Sequence, residues 1–492
     1  MKIAPLNLRP VRQHALLHPG HRYLDVETRW GRQRFTQPHQ IAEALRQLAP
    51  FQCYVMGNLE RLKHTTGARS WTMETWKDRV TAMTYNGSGT RVATLRHALD
   101  GSPDPFADLT TFLDWIATYG VEPRTISSMA WQLFRASLDH EITIGVDPAI
   151  SGPTLFGGRQ ACKEPKVYKH QKMLDIRGAY PFQMSRRPYA LGLRGVHPST
   201  ELDPDVAGLA RATVWVPHDL AYAPLPVRVG PDAIQFQWGA VEGVYSWCEL
   251  AAAQSLGCTV SITESWAPRR ELDLFGPWWV IARTGRLLPG GAGQLAKATT
   301  VCTWGQFAMD GHYRSQVRWL DEAGERPYVV ADVNRPMPHA WVRHVASETT
   351  ARVRTQLLIE GLYRGSSRPC HIDTDGIIDA RSSPLPANTG DGFGQWRVKW
   401  TAREVDVRAP QFFRYTCRYC GLEHAKWHYC ASGMPEDMAA RAFRGAGSLV
   451  TRISFLTYDD KVLPDTSSHD KDRITRLIAE ARALGVEVGE GW

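Results

Sequence analysis

Residues 370–378 read CHIDTDGII. Two aspartates, Asp373 and Asp375, stand two positions apart among β-branched and apolar residues. In an extended segment successive side chains alternate, so both acids are expected on one face and Thr374 on the other. Two like charges flanked by Ile372, Ile377 and Ile378 repel each other and lose solvation, and a cation between them relieves both. Oxygen ligands alone suit Mg²⁺, which is held by one or two carboxylates together with substrate phosphates. A plain acidic turn competes with this reading, because DTDG is a good turn sequence.

Two further stretches bear on the choice. In KMLDIRGAYPFQM (172–184) an apolar strand ends at Asp175 and meets a Pro-containing turn. A third carboxylate from another strand completes a two-metal site, in which ions about 3.5–4 Å apart serve in-line phosphoryl transfer. The bland alternative for Asp175 is a strand-end acid or a helix cap. In KATTVCTWG (297–305) a helix places Lys297, Val301 and Trp304 on one face. Such a face can hold a triphosphate and a base, or it can be a solvated helix end.

The rest of the chain is globular in composition. It has 492 residues, 43% hydrophobic and 22% charged, with a net charge of +8 that fits a polyanionic partner such as nucleic acid as well as a basic soluble enzyme. The nine cysteines are an odd number, which points to reduced thiols rather than a disulfide framework. The N-terminus has no secretion-signal pattern, and no apolar run is long enough to span a membrane, so the expectation is cytoplasm and no membrane. Helices are expected over 107–120, 127–138, 246–257 and 339–362, the last being the longest helical pattern. A glycine-rich break is expected at PGGAG (289–293), a further helix after it, and a boundary near SGPTLFGGR (151–159).

Taken in order, DIRGAYP (175–181), KATTVCTWG and HIDTDGII resemble the first palm, fingers and second palm motifs of the family B DNA polymerases. LFGGR (155–159), GVYSWCELAAAQSLG (243–257), FGQWRVKW (393–400) and WHYCASGM (427–434) resemble motifs of the protein-primed phage branch, so the resemblance covers about residues 105–435. It implies that Asp175 and Asp375 are the chief ligands of two Mg²⁺ or Mn²⁺ ions, with Asp373 assisting. Tyr180 would lie under the incoming sugar. Lys297 would bind the triphosphate, and Trp304 and Gly305 would press on the nascent base pair. Arg283 or Arg286 would reach phosphates. Gly157, Gly158 and Arg159 would contact template, and Arg414 would stand in for the Lys of a Lys-x-Tyr motif that here reads Gln411-Phe412-Phe413. The partners implied are a DNA primer-template, dNTPs and a priming protein or other replication or defence partner. The implied setting is a phage or mobile element in the host cytoplasm.

The chain departs from the family pattern in several places. Gly376 replaces the Ser after Asp-Thr-Asp, Val301 and Cys302 replace an Asn-Ser pair, and Trp304 replaces a Tyr. These departures bear on templating and substrate selection. Family members also carry a 3′–5′ exonuclease, and LDVET (24–28) resembles its first motif through Asp25 and Glu27. The second motif has no counterpart, since TYNGSGTRV (84–92) offers Asn86 but no acid, so the N-terminal domain is read as a degenerate exonuclease without proofreading. The cluster CRYCGLEHAKWHYC (417–430) offers Cys417, Cys420, His424, His428 and Cys430 as zinc donors. Its spacing is tight, and the same residues read as a β-hairpin that needs no metal, so zinc is not expected.

The expected class is α+β: a right-hand polymerase with an N-terminal exonuclease-like α/β domain. The expected segments are 1–150 exonuclease-like, 151–270 first part of the palm, 271–310 fingers, 311–435 second part of the palm and 436–492 a small thumb. A short insertion is read at DEAGERPYVVAD (321–332). DNA-directed DNA polymerisation is the expected activity. A primase-polymerase or template-independent polymerase, a nuclease centred on Asp25 and Glu27, and a non-catalytic DNA-binding scaffold are the alternatives.

Overall fold

The computed structural model describes residues 2–3, 14–19, 23–49, 51–56, 71–76, 79–85, 90–95, 99, 102–145, 150, 154–228, 234–308, 312–316, 332–336, 342–364, 368–410, 412–417, 427–431, 440 and 443. They fall into two compact units, one of Met1–Val146 with Leu274–Val342, the other of Asp147–Asp273 with Arg343–Trp492. The expected fingers segment therefore groups with the N-terminal residues. Of the insertion only Asp332 is described, and of 436–492 only Ala440 and Phe443, so those two readings lie outside the described residues.

In the first unit, strands β1 (His14–Pro19), β2 (Leu24–Thr28) and β3 (Gly31–Phe35), helix α1 (Pro38–Gln47), and strands β4 (Gln52–Val55), β5 (Trp71–Trp76), β6 (Arg79–Tyr85) and β7 (Thr90–Thr94) build one sheet with a covering helix. The strand order is β3-β2-β1-β4-β7-β6-β5. β1 runs parallel to β4, and β4 to β7, while the outer pairs are antiparallel. The central strands are apolar on both faces, as parallel strands covered on both sides are. Ala15, Leu17, Cys53, Val55 and Val92 face one core with Ile41 and Leu45 of α1. Leu16, Tyr54 and Ala93 face the other, against α2 (Pro105–Ala117), α3 (Ile126–Ala136) and the Gly290–Ala308 helix. Asp104 caps α2 by accepting from the Ala107 amide at 3.0 Å, and Thr125 caps α3 through the Ser128 amide.

The PGGAG stretch opens the Gly290–Ala308 helix rather than breaking the chain before it. The cause is tertiary. Asp108 of α2 accepts from the Gly291 amide at 2.9 Å, and a Cβ on Gly290 or Gly291 would meet its carboxylate oxygens at 2.8 or 2.6 Å. A carboxylate at a helix N-terminus is favourable, and glycine lets it approach.

The second unit is built on an antiparallel sheet of β8 (Arg159–Cys162), β9 (Lys166–Ile176), β10 (His371–Thr374), β11 (Gly376–Ala380), β12 (Trp396–Ala409), β13 (Phe412–Cys417) and β14 (Trp427–Ala431), in the order β8-β10-β11-β9-β12-β13-β14. Helix α4 (Ala179–Arg186) follows β9 where only a turn was expected. Helices α5 (Trp247–Ser255) and α6 (Arg343–Gln356) bear out the expected helical patterns, α6 continuing as a π-helix over Leu357–Tyr363. Alternation again splits the core. Ala161, Leu174, Ile372 and Ile377 pack with Val353 and Leu357, whereas Cys162, Met173, Ile378 and Val405 pack with Phe413. A four-stranded antiparallel sheet of Leu193–Val196, Leu209–Val216, Gly239–Ser246 and Thr259–Pro268 completes the unit. Among the described residues no helix is long and apolar enough to cross a membrane.

Candidate active site

Asp175, Gly376 and Asp373 sit side by side on three neighbouring strands, Asp175 opposite Gly376 and Gly376 opposite Asp373. The two acids of β10–β11 are not on one face of a continuous strand, as alternation suggested. Asp373 and Gly376 close a two-residue turn made of Thr374 and Asp375, and the Asp375 carbonyl accepts from the Ile176 amide at 2.9 Å. Thr374 takes φ 58°, a left-handed conformation that a β-branched residue rarely adopts. Surrounding structure has to hold it there. Part of that support is Gly158, where a Cβ would lie 2.5 Å from Thr374 Cγ2.

Gly376 is required by its neighbours. A Cβ there would stand 2.8 Å from the Leu174 carbonyl oxygen and 2.7 Å from Met173 Cε. Gly376→Ser is expected to cost about 1–3 kcal/mol of stability, because a backbone carbonyl cannot step aside as a side chain can. Thermal unfolding checks this. A Ser variant as stable as the parent would mean that the strand pair opens freely.

The carboxylates feel one another. Loss of solvent around Asp375, then the nearby Asp373 and Asp175 carboxylates, push its pKa up to about 7, against a smaller opposing pull from Lys399. Asp175 is already paired: Arg397 Nε donates to Oδ1 at 2.8 Å, and Lys399 Nζ lies 3.6 Å from Oδ2. Among the described residues no three acid, His or Cys side chains converge at metal-ligating spacing. The donor chemistry nevertheless fits a divalent cation, since the nearby Asp373 and Asp175 carboxylates disfavour the charge on a buried Asp375.

Tyr180 lies in the first turn of α4 and packs against the Leu174–Ile377 core. Burial raises its pKa, and the Asp375 charge raises it further. In the other unit, Lys297 is exposed on the Gly290–Ala308 helix, with Val301 and Trp304 half-buried, while Leu295, Thr299, Thr303 and Phe307 face inward. The shared outer face expected for these residues is thus present. Arg283 is exposed and Arg286 is half-buried.

The remaining candidate residues differ in their surroundings. Arg159 is buried, donates to the Ala223 carbonyl at 2.8 Å and lies over the Phe236 ring, so its guanidinium serves packing and not a surface. Arg414 is half-buried, bonds Asp406 at 3.0 Å and stacks on Trp427. Gly157 has open space around its α-carbon. Asp25 is buried between two arginines, with Arg32 Nη2 and Arg34 Nε each 2.7 Å away, which lower its pKa. Glu27 bonds His18 at 2.9 Å. The β13–β14 hairpin read from the cysteine cluster is present, with Phe413 opposite Cys430 and the His428 ring stacked on Tyr415. Asn86, Gln411, Cys420 and His424 lie outside the described residues, and so does the side chain of Cys417.

Two buried ion pairs of α6 escape a reading of the sequence. Glu348 bonds Arg352 within α6 at 2.7 Å, and Glu249 of α5 bonds Arg354 at 3.0 Å. An i,i+4 Glu–Arg pair reads as a solvated helix face, and the only contrary signal is that α6 alternates these charges with Val345, Ala346, Ala351 and Val353.

The chain is similar in fold to a DNA polymerase. One similar solved structure is phi29 DNA polymerase with primer-template DNA, matched at TM-score 0.62 and 11% identity over 87% of this chain and 94% of that one. The same polymerase with primer-template DNA and incoming nucleotides matches at TM-score 0.62 and 12% identity, over 88% and 94%. No protein family profile and no curated protein matches the sequence, so the likeness is one of fold.

Proposed function

We propose that the protein is a DNA-directed DNA polymerase of family B type that extends a 3′-hydroxyl with deoxynucleotides. The observation that carries this reading is the alignment of Asp175, Gly376 and Asp373 across three strands, with Asp375 in the adjoining turn, in a chain whose fold resembles a DNA polymerase. Two Mg²⁺ or Mn²⁺ ions held by these carboxylates would lower the pKa of the 3′-hydroxyl and neutralise the triphosphate. Asp175 and Asp375 would be the chief ligands and Asp373 the third. Tyr180 would set the sugar subsite. Lys297, helped by Arg283 or Arg286, would bind the triphosphate, and Trp304 with Gly305 would form the base-pair wall. Gly157 and Gly158 would border the template. Arg159 holds structure first, so any contact of its guanidinium with DNA would follow a rearrangement, whereas Arg414 stays partly exposed beside Asp406. Catalysis here is positioning and electrostatics, and basic residues give salt-dependent DNA binding.

The experiment is nucleotide incorporation on a defined primer-template with Mg²⁺ or Mn²⁺. Template-directed products that vanish in Asp175→Ala support the reading, and products that ignore template sequence replace it with a template-independent polymerase.

The absence of proofreading is part of the proposal. Arg32 and Arg34 occupy Asp25, and Glu27 is spent on His18. Asp25→Asn is expected to cost about 1–3 kcal/mol, by removing charge-assisted hydrogen bonds from a buried site, while leaving 3′-end degradation of labelled primer at background. Degradation that Asp25→Asn abolishes would restore the exonuclease reading.

A further inference from the structure

We propose that Arg354 is a positioning residue for this polymerase site: through the loop of Phe156, Gly157 and Gly158 it fixes the turn that carries Asp375. The inference rests on the polymerase reading and adds a residue that touches neither acid. Arg354 is 4% exposed near the end of α6. Its Nε donates to Glu249 Oε1 at 3.0 Å, and its Nη1 donates to the carbonyl oxygens of Phe156 and Gly157, each at 2.8 Å. One planar guanidinium therefore ties α5, α6 and two consecutive loop carbonyls together.

The next residue in that loop carries the constraint to the turn. Gly158 lies so close to Thr374 that a Cβ would stand 2.5 Å from Cγ2 and 3.0 Å from Oγ1. Beyond it, Arg159 pairs with Thr374 and Gln160 with Asp373 across β8–β10. Thr374 is the residue held at positive φ, and Asp375 follows it. A loop free to retreat would let Thr374 relax toward a favoured conformation and swing Asp375 out of line with Asp175. Glu249 supplies the counter-charge that keeps Arg354 in place, since removing one partner leaves the other buried and unpaired. Lysine cannot replace Arg354, because a single ammonium on a flexible stem lacks the fork that reaches a carboxylate and two carbonyls together.

The test compares the full-length protein with Arg354→Lys, and with Glu249→Leu/Arg354→Met, which removes both buried charges. Two readouts are used, single-nucleotide incorporation kinetics and hydrogen exchange of peptides spanning 156–160 and 371–378. The expected result for Arg354→Lys is a fall in kcat of about 10–100-fold with the dNTP KM changed less than threefold, as for a catalytic group displaced by about an ångström. Exchange should rise in both peptides and stay unchanged in 24–28. The double variant should recover thermal stability without recovering kcat. A merely structural role predicts the opposite, recovery of both together, and would overturn the proposal. So would unchanged kcat and exchange in a folded Arg354→Lys protein. Should the parent protein incorporate no nucleotide, the polymerase reading fails by itself, and the exchange of 371–378 in Arg354→Lys still decides whether Arg354 positions the turn.

Discussion

Asp375→Asn is expected to abolish nucleotide incorporation and to make the protein more stable at pH 8. The first effect follows from the proposed function, in which Asp375 is a chief metal ligand: at least ~10³-fold in rate, equivalent to several kcal/mol of transition-state stabilisation. The second follows from the raised pKa of about 7. An unfolded chain ionises an aspartate near pH 4, whereas the folded protein holds the Asp375 proton up to about pH 7. Between these values the unfolded state binds fewer protons, so stability falls as pH rises through the window. Asparagine does not titrate and escapes that fall. In chelator the variant should match the parent near pH 4, pull ahead between pH 4 and 7, and hold its lead above 7 by a few kcal/mol, or about 2–5 °C in Tm. Added Mn²⁺ should then stabilise the parent and leave the variant unmoved. A variant less stable than the parent at pH 8 in chelator would mean that the three carboxylates do not repel one another as placed. Function and stability pull apart at this residue because repulsion among the acids is what a cation relieves.

Much of the site was legible from residue order. The strand that ends at Asp175, the helix that carries Lys297 and the apolar strands that flank Asp373 are where their patterns put them, whereas Asp375 falls in a turn, because periods of two and 3.6 are local properties. The misreadings share a cause, which is contact with residues distant in sequence. Thr374 sits at positive φ although glycine is available two positions later. Gly158, in the loop just before the strand paired with it, leaves room for that conformation, while Leu174 demands the glycine at 376. The glycines of PGGAG read as a break until Asp108, nearly two hundred residues earlier, is seen capping the helix they begin. The arginines that close on Asp25 from the next strand are likewise invisible in the LDVET pattern. Charge pairs such as Glu249–Arg354 have no signature in sequence, because burial is a property of the assembled core.

The largest stability loss is expected from Glu348→Gln, at about 3–5 kcal/mol. Glu348 and Arg352 are 4% and 2% exposed and bond at 2.7 Å, one turn apart on α6. Arg352 also donates to the Pro188 carbonyl at 2.9 Å and to those of Arg187 and Gln183 at 3.3 and 3.4 Å, and it lies over the Tyr189 ring. It thus satisfies carbonyls at and just beyond the C-terminal end of α4, which have no partner within that helix. With Glu348 neutral, the guanidinium remains desolvated and its charge uncompensated. Arg352→Met alone should also be damaging, because it strands the Glu348 carboxylate. Glu348→Leu/Arg352→Met removes both charges of this pair and should recover more than half of the loss. Its residual deficit, about 1–3 kcal/mol, reflects the helix-end carbonyls left without a donor. Chemical denaturation of the three variants separates the terms. Equal losses in the singles and the double would show that packing volume, not charge, holds α6 to α4. The consequence reaches the site, since α4 begins at Ala179 and carries Tyr180 in its first turn. A chain that folds with a frayed α4 should keep its acids in register on β9–β11 while its nucleotide KM rises, so the double variant weakens substrate binding where Asp375→Asn removes chemistry.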